Sequence, residues 1–366
     1  MRSLDHVGGY SDAEPATGRN SNEPDVPDPS NSWTAQAASG SSVHIRYGKE
    51  NGMRAIAEEW FGGPIALMDL PVPEIGRGEV LIRVRAAGVN PFDWKVADGV
   101  LEGERKHRFP LILGFDAAGV VERVGAGVTE LAEGDEVYGY LFKPVVGGGA
   151  YAEYVSAPAT IVAKKPESVG FAEAAALPTP GLTAMDLVDA VNLGEGEITL
   201  IVGATGGVGS YAVQLAARRG ARVIATARRE NEAFVRELGA AETIDHARED
   251  VLEAILVAHP DGIEAIIDMV SDREALGRMA RLLKKGGRLV SSVDAAAPES
   301  LAERSIRATN VGMQPDAQRL AQLAWLVDAG EISVRLARAF PLEEAPEALE
   351  ESRLGHVRGK LVLLVD

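Results

Sequence analysis

The stretch ITLIVGATGGVGSYAVQLAARRGARVIATARR, residues 198–229, decides the fold. An apolar run, ITLIV, ends in a glycine-rich turn. A segment with helical apolar spacing follows, and then a second apolar run, ARVIATA. Strand, turn, helix and strand in that order form a βαβ unit. The turn reads Ala204-Thr205-Gly206-Gly207-Val208-Gly209, with alanine where a GxGxxG fingerprint has its first glycine. Such a match is weak alone; the flanking strand and helix give it the context it needs. Gly206 would let the backbone approach a pyrophosphate, and Gly209 would let the helix pack on the sheet. The helix N-terminus offers N–H groups and its positive dipole end to the phosphates. The competing reading is a glycine-rich turn with no ligand.

The end of the second strand selects the nucleotide. A site for NAD places Asp or Glu there to bind the ribose 2′-hydroxyl. This chain has Thr226-Ala227-Arg228-Arg229 instead. The fixed donor fork of a guanidinium suits a 2′-phosphate. The expected cofactor is therefore NADPH, with Arg228 ahead of Arg229; otherwise both are solvated arginines at a helix start.

Outward from this unit, strands and helices keep alternating. IEAIIDMV and GRLVSSV read as further strands, each with a helix before it, which implies a doubly wound parallel sheet. RLAQLAWLVDAG and GKLVLLV add a last helix and a closing strand. FAEAAALP and GLTAMDLVDAV read as two helices interrupted by Pro178 and Pro180. Towards the N-terminus, EVLIRVRAAGVN, DAAGVVERVG, DEVYGYLF and AYAEYVSAP are β-like runs bounded by turn residues, the mark of a mostly β domain. Before Met53 the chain is rich in Ser, Asn, Asp, Pro and Gly and reads as a disordered tail. The alternative is that translation begins at Met53.

Composition excludes several classes. The formal net charge of −17 disfavours nucleic-acid binding. No apolar run reaches the roughly 20 residues of a membrane span, and the N-terminus lacks the apolar core of a secretory signal. A cytoplasmic protein is expected. Cysteine is absent, so no thiol nucleophile or thiolate metal site exists, and the six histidines show no metal-like spacing. One carboxylate stands out: Asp116, in the apolar stretch LILGFDAAGVV.

These motifs together, with GVNPFDWK, GFDAAGVVERVGAGV, GDEVYGY, LPTPGLTA and RGKLVLLV, resemble the medium-chain dehydrogenase/reductase superfamily. The resemblance spans about Met53 to Val365. It is nearest to the zinc-independent quinone oxidoreductase and alkenal/enone reductase branch. It implies a Rossmann-type doubly wound parallel sheet plus a GroES-like β-barrel domain. The expected division is a tail over 1–52, a GroES-like domain over 53–178, a Rossmann domain over 179–312 and a return to the first domain over 313–366. A homodimer is implied.

Zinc-dependent relatives carry a His-Glu pair where this chain has Phe115-Asp116, so no metal is expected. Asp116 is then either structural or close to the nicotinamide. Without a Lewis acid, an acceptor that is already electron-poor is favoured, namely a quinone or an α,β-unsaturated carbonyl. The resemblance implies catalytic roles for Asn90 and Lys95 in GVNPFDWK, which would position and polarise the acceptor carbonyl, and for Thr183. It places Ser271 beside the nicotinamide and Lys360 near the 2′-phosphate. The plainer readings are a turn-capping Asn90, a surface Lys95 and a helix-packing Thr183. Two other functions remain open from the sequence: an enoyl-thioester reductase, and a non-catalytic NADPH-binding structural or regulatory protein.

Overall fold

The computed structural model describes residues 52–366. The expected tail lies outside the described residues except for Gly52, which opens the first strand, Gly52–Glu58.

Six parallel strands form the nucleotide-type sheet. Their spatial order is Glu242–Ile244, Arg222–Thr226, Ile198–Val202, Ile263–Asp268, Leu283–Ser291 and Arg307–Asn310. The chain starts in the middle, winds to one edge, then returns and winds to the other. The reversal falls between Ile198–Val202 and Ile263–Asp268, so a crevice opens beyond their carboxyl ends. Both strands are nearly continuous apolar runs because helices cover both faces. Helix Gly207–Arg218 presents Tyr211, Ala212, Leu215 and Ala216 to the core.

The remaining strands form two sheets. A seven-stranded sheet is built around Glu79–Val89, which pairs antiparallel with Asp116–Val124, Tyr154–Pro158 and the late strand Lys360–Leu364. A four-stranded sheet contains Ala66–Pro71, Gly52–Glu58, Lys106–Ile112 and Val145–Gly148. Ile56 of the smaller sheet shares a core with Val80, Ile82 and Leu113. The basic run ERKHRFP, residues 104–110, supplies part of strand Lys106–Ile112.

Pro178 and Pro180 do not interrupt a helix. They lie in the first turn of one, Pro178–Val191. The first turn has N–H groups without intrahelical partners, so proline costs nothing there. No helix among the described residues is long and apolar enough to cross a membrane.

Two glycines of the turn after Ile198–Val202 differ in what they permit. A Cβ on Gly209 would lie 2.1 Å from the Gly203 carbonyl oxygen, whereas one on Gly206 would meet nothing nearer than that oxygen at 3.6 Å. Gly209→Ala is expected to cost about 2–3 kcal/mol through forced separation of helix and strand. Gly206→Ala, at extended backbone, is expected to stay within about 1 kcal/mol of wild type. Urea midpoints of the two variants check the contrast.

Candidate active site

The crevice holds a cleft of about 280 Å³. Gly206, Gly207 and Val208 form one wall, Met269 and Val270 another, and Asn90 and Lys360 lie at its inner end. The helix starting at Gly207 has Gly206 as its N-cap, and no side chain caps it. Its first N–H groups are therefore available to an anion. The chain thus has an uncapped helix N-terminus at one side of a cleft and a polar group at the end.

That polar group is a connected buried network. Asn90 Nδ2 donates to Asp116 Oδ2 at 2.9 Å. Lys360 Nζ donates to Asn90 Oδ1 and to the Val89 carbonyl, each at 2.6 Å. Both ends of the Asn90 amide are thereby fixed, and one of its two N–H bonds stays uncommitted. The other Asp116 oxygen accepts from Thr179 N at 2.9 Å and Thr179 Oγ1 at 2.6 Å. Asp93 accepts from Asn90 N at 2.6 Å and from the Tyr151 hydroxyl at 2.8 Å, through one oxygen. Its second oxygen is buried without a partner.

Local sequence explains the placement. Asn90 is the N-cap of the short helix Pro91–Ala97, whose third residue, Asp93, reaches back to the Asn90 N–H. Asp116 starts its strand opposite Gly88 and Tyr140. Lys360 begins the closing strand, one residue after Gly359, whose N–H donates to the Thr205 carbonyl at 3.0 Å. The Lys360 stem then passes beneath the turn, 2.7 Å from where a Gly207 Cβ would stand.

Comparison with known proteins follows this geometry. Residues 76–167 match the alcohol dehydrogenase GroES-like domain, and residues 238–363 match a domain described as zinc-binding dehydrogenase. The chain is 31% identical over 330 residues to a chloroplast envelope quinone oxidoreductase homolog of Arabidopsis thaliana, covering 85% of this chain and 98% of that one. It is 30% identical over 343 residues to the NADPH-dependent alkenal/one oxidoreductase of the same plant, covering 91% and 84%. The solved quinone oxidoreductase of Coxiella burnetii superposes with a TM-score of 0.77 at 34% identity, over 86% of this chain and all of that one.

The chain belongs to the medium-chain dehydrogenase/reductase superfamily.

Within this medium-chain dehydrogenase/reductase, zinc does not fit the residues present. Both Asp116 oxygens are engaged by Thr179 and Asn90, and Phe115 beside it offers no donor atom. Among the described residues no three His, Asp or Glu side chains converge.

The structure sorts the expected site residues. Asn90 lies in the cleft, as do Gly206, Gly207, Val208 and Gly209. Ala204 is buried under the turn, and Thr205 gives its carbonyl to Gly359. The Lys360 ammonium is buried against Asn90 and the Val89 carbonyl. Lys95 is exposed on helix Pro91–Ala97, with its ammonium 5.5 Å from the centre of the Trp94 ring, outside the buried network. Thr183 spends its hydroxyl on the Thr179 carbonyl at 2.7 Å, within its own helix.

Thr226 accepts from Gly203 N at 3.1 Å and so braces the turn. Ser271 donates its N–H to Asp268, while its neighbours Met269 and Val270 line the cleft. Arg229 is exposed, and its backbone N–H is held by Asp245. Arg228 reaches His356. Asp93 and Tyr151 join the network although neither stands out in the sequence as a site residue. The clue to Tyr151 is that a fully buried tyrosine hydroxyl needs an acceptor.

Burial sets the electrostatics. It pushes Asp93 up to about 7 despite donors from Asn90 and Tyr151. It pushes Asp116 up to about 6 against the pull of Lys360. Burial also lowers the Lys360 ammonium, which the two carboxyl groups oppose. An acid whose folded pKa is raised binds its proton more tightly folded than unfolded. Its contribution is complete below the unfolded value near 4 and is lost as pH rises to the folded one. The stability difference between wild type and Asp93→Asn is therefore expected to shift against wild type as pH rises from 4 to 7 and to level above 7. Urea unfolding of both proteins across pH 4–8 measures it.

Proposed function

We propose that the chain is an NADPH-dependent, zinc-independent reductase of quinones or α,β-unsaturated carbonyls. The observation that carries this reading is the Asp116–Asn90–Lys360 network at the inner end of a phosphate-cradling cleft. The names of the Arabidopsis and Coxiella relatives support the reaction class, and the alkenal/one relative supports NADPH. NADPH, when bound, supplies the hydride.

The chain's own residues bind and orient. The uncapped helix at Gly207 takes the pyrophosphate, and Arg228 takes the 2′-phosphate. The uncommitted Asn90 N–H donates to the oxygen of the acceptor. The Lys360 cation on Asn90 Oδ1 withdraws electron density from the amide, which makes that N–H a stronger donor as negative charge grows on the acceptor. Asp116 prevents the amide from flipping, because an oxygen turned towards its carboxylate would be repelled. Lys360, not Lys95, is the cation that polarises this site. The acceptor is electron-poor by conjugation, so a single polarised donor suffices.

Oxidation of NADPH followed at 340 nm tests the reading against a naphthoquinone, a 2-alkenal, an enone and a saturated aldehyde. Turnover is expected with the conjugated acceptors and not with the saturated aldehyde. Asn90→Ala is expected to lower kcat roughly 10²-fold, the range for losing one such donor, while Lys95→Ala stays within about threefold. Turnover confined to the saturated aldehyde, or equal damage from both variants, would overturn the assignment.

A further inference from the structure

The nucleotide cleft has one contact that the reductase reading leaves unexplained. Arg228 Nη2 lies 3.0 Å from His356 Nε2. A guanidinium has only donors, so in this contact the imidazole accepts through Nε2. The partner that Arg228 holds is thus a second basic group, not an acid, in a chain with 54 acidic residues. Both side chains are exposed, and His356 lines the cleft that Gly206 and Gly207 wall.

The backbone of His356 is a separate observation. Its φ is +66°, the left-handed region that disfavours a side chain, and it directly follows Gly355 at +74°. Such a conformation is unfavourable for a residue with a side chain and persists where the surroundings impose it. The surroundings here include Gly359, three residues on, whose N–H is tied to the Thr205 carbonyl in the phosphate turn. The loop is therefore held over the cleft, with its imidazole at the end of strand Arg222–Thr226 where a nucleotide selects its ribose partners.

We infer that His356 is a specificity residue for the cofactor, joining Arg228 to form a two-sided clamp for the adenosine 2′-phosphate. This rests on the NADPH reading. A phosphate that replaces this contact, moving the two side chains apart, accepts from the guanidinium fork on one side and from the imidazole N–H at Nδ1 on the other. The clamp has nothing to grip on a ribose with a free 2′-hydroxyl, so it discriminates between the two nucleotides.

Calorimetric titration of the full chain with 2′,5′-ADP and with 5′-AMP tests the clamp without turnover. The variants are Arg228→Ala and His356→Asn; asparagine tolerates left-handed backbone, so the loop keeps its course. Wild type is expected to bind 2′,5′-ADP more tightly. Each variant is expected to lose roughly tenfold on 2′,5′-ADP, the scale of one charge-assisted hydrogen bond, and nothing on 5′-AMP. Steady-state kinetics should show a matching rise in KM for NADPH with kcat retained. If His356→Asn leaves 2′,5′-ADP binding unchanged, or weakens both nucleotides alike while Arg228→Ala remains selective, the clamp is refuted and the NADPH reading stands. If wild type binds both nucleotides equally, the NADPH reading itself has failed, and the clamp with it.

Discussion

A single buried cation organises the site. Taking an ammonium out of water costs several kcal/mol unless its hydrogens find acceptors and its charge finds a counterion. Lys360 meets both conditions only at one place, with Val89 and Asn90 accepting and Asp116 and Asp93 near enough to act on its charge. Remove any of these partners and the lysine has no reason to be inside. Because its stem runs under Gly207, the same residue fixes the distance from the phosphate turn to Asn90. The glycine at 207 is thus required by a neighbouring side chain as well as by any ligand.

The sheets deliver these partners through register. Strand Glu79–Val89 ends at the network, and its two neighbours bring Asp116 against Gly88 and Leu361 against Val89. A slip of one residue on either side would turn Asp116 or Lys360 to the opposite face. Apolar alternation along these strands therefore protects the chemistry indirectly, since the core will not accept the slipped pairing. Tyr151, between strands Val145–Gly148 and Tyr154–Pro158, adds a check: its ring is fully buried and its hydroxyl reaches Asp93.

Much of this was legible in the sequence, for identifiable reasons. The parallel sheet announces itself because buried strands are unbroken apolar runs and the turn Ala204–Gly209 sits between a strand and a helix. The Asp116 question was answerable in outline, since a carboxylate in an apolar stretch must be satisfied by donors. What could not be read was side-chain direction. Lys95 and Lys360 are both lysines beside expected site motifs, and only the fold shows that the first faces solvent and the second the interior. Strand Arg307–Asn310, reading RATN, lacks any apolar alternation because it lies at a sheet edge and takes its conformation from its neighbour. The prolines at 178 and 180 misled because proline ends a helix and starts one with equal ease.

The distance along the chain between Asn90 and Lys360 has a consequence for how the protein comes to be active. The two residues are separated by 270 positions, so the bond between them cannot form until all the intervening chain has been made. Sheets that need only nearer segments can assemble as the chain leaves the ribosome, whereas the polarised amide waits for the closing strand. Folding and competence are in this way separated in time. The turn Ala204–Gly209 can exist before the Asn90–Lys360 end of the cleft does, so a half-made chain holds no complete cleft.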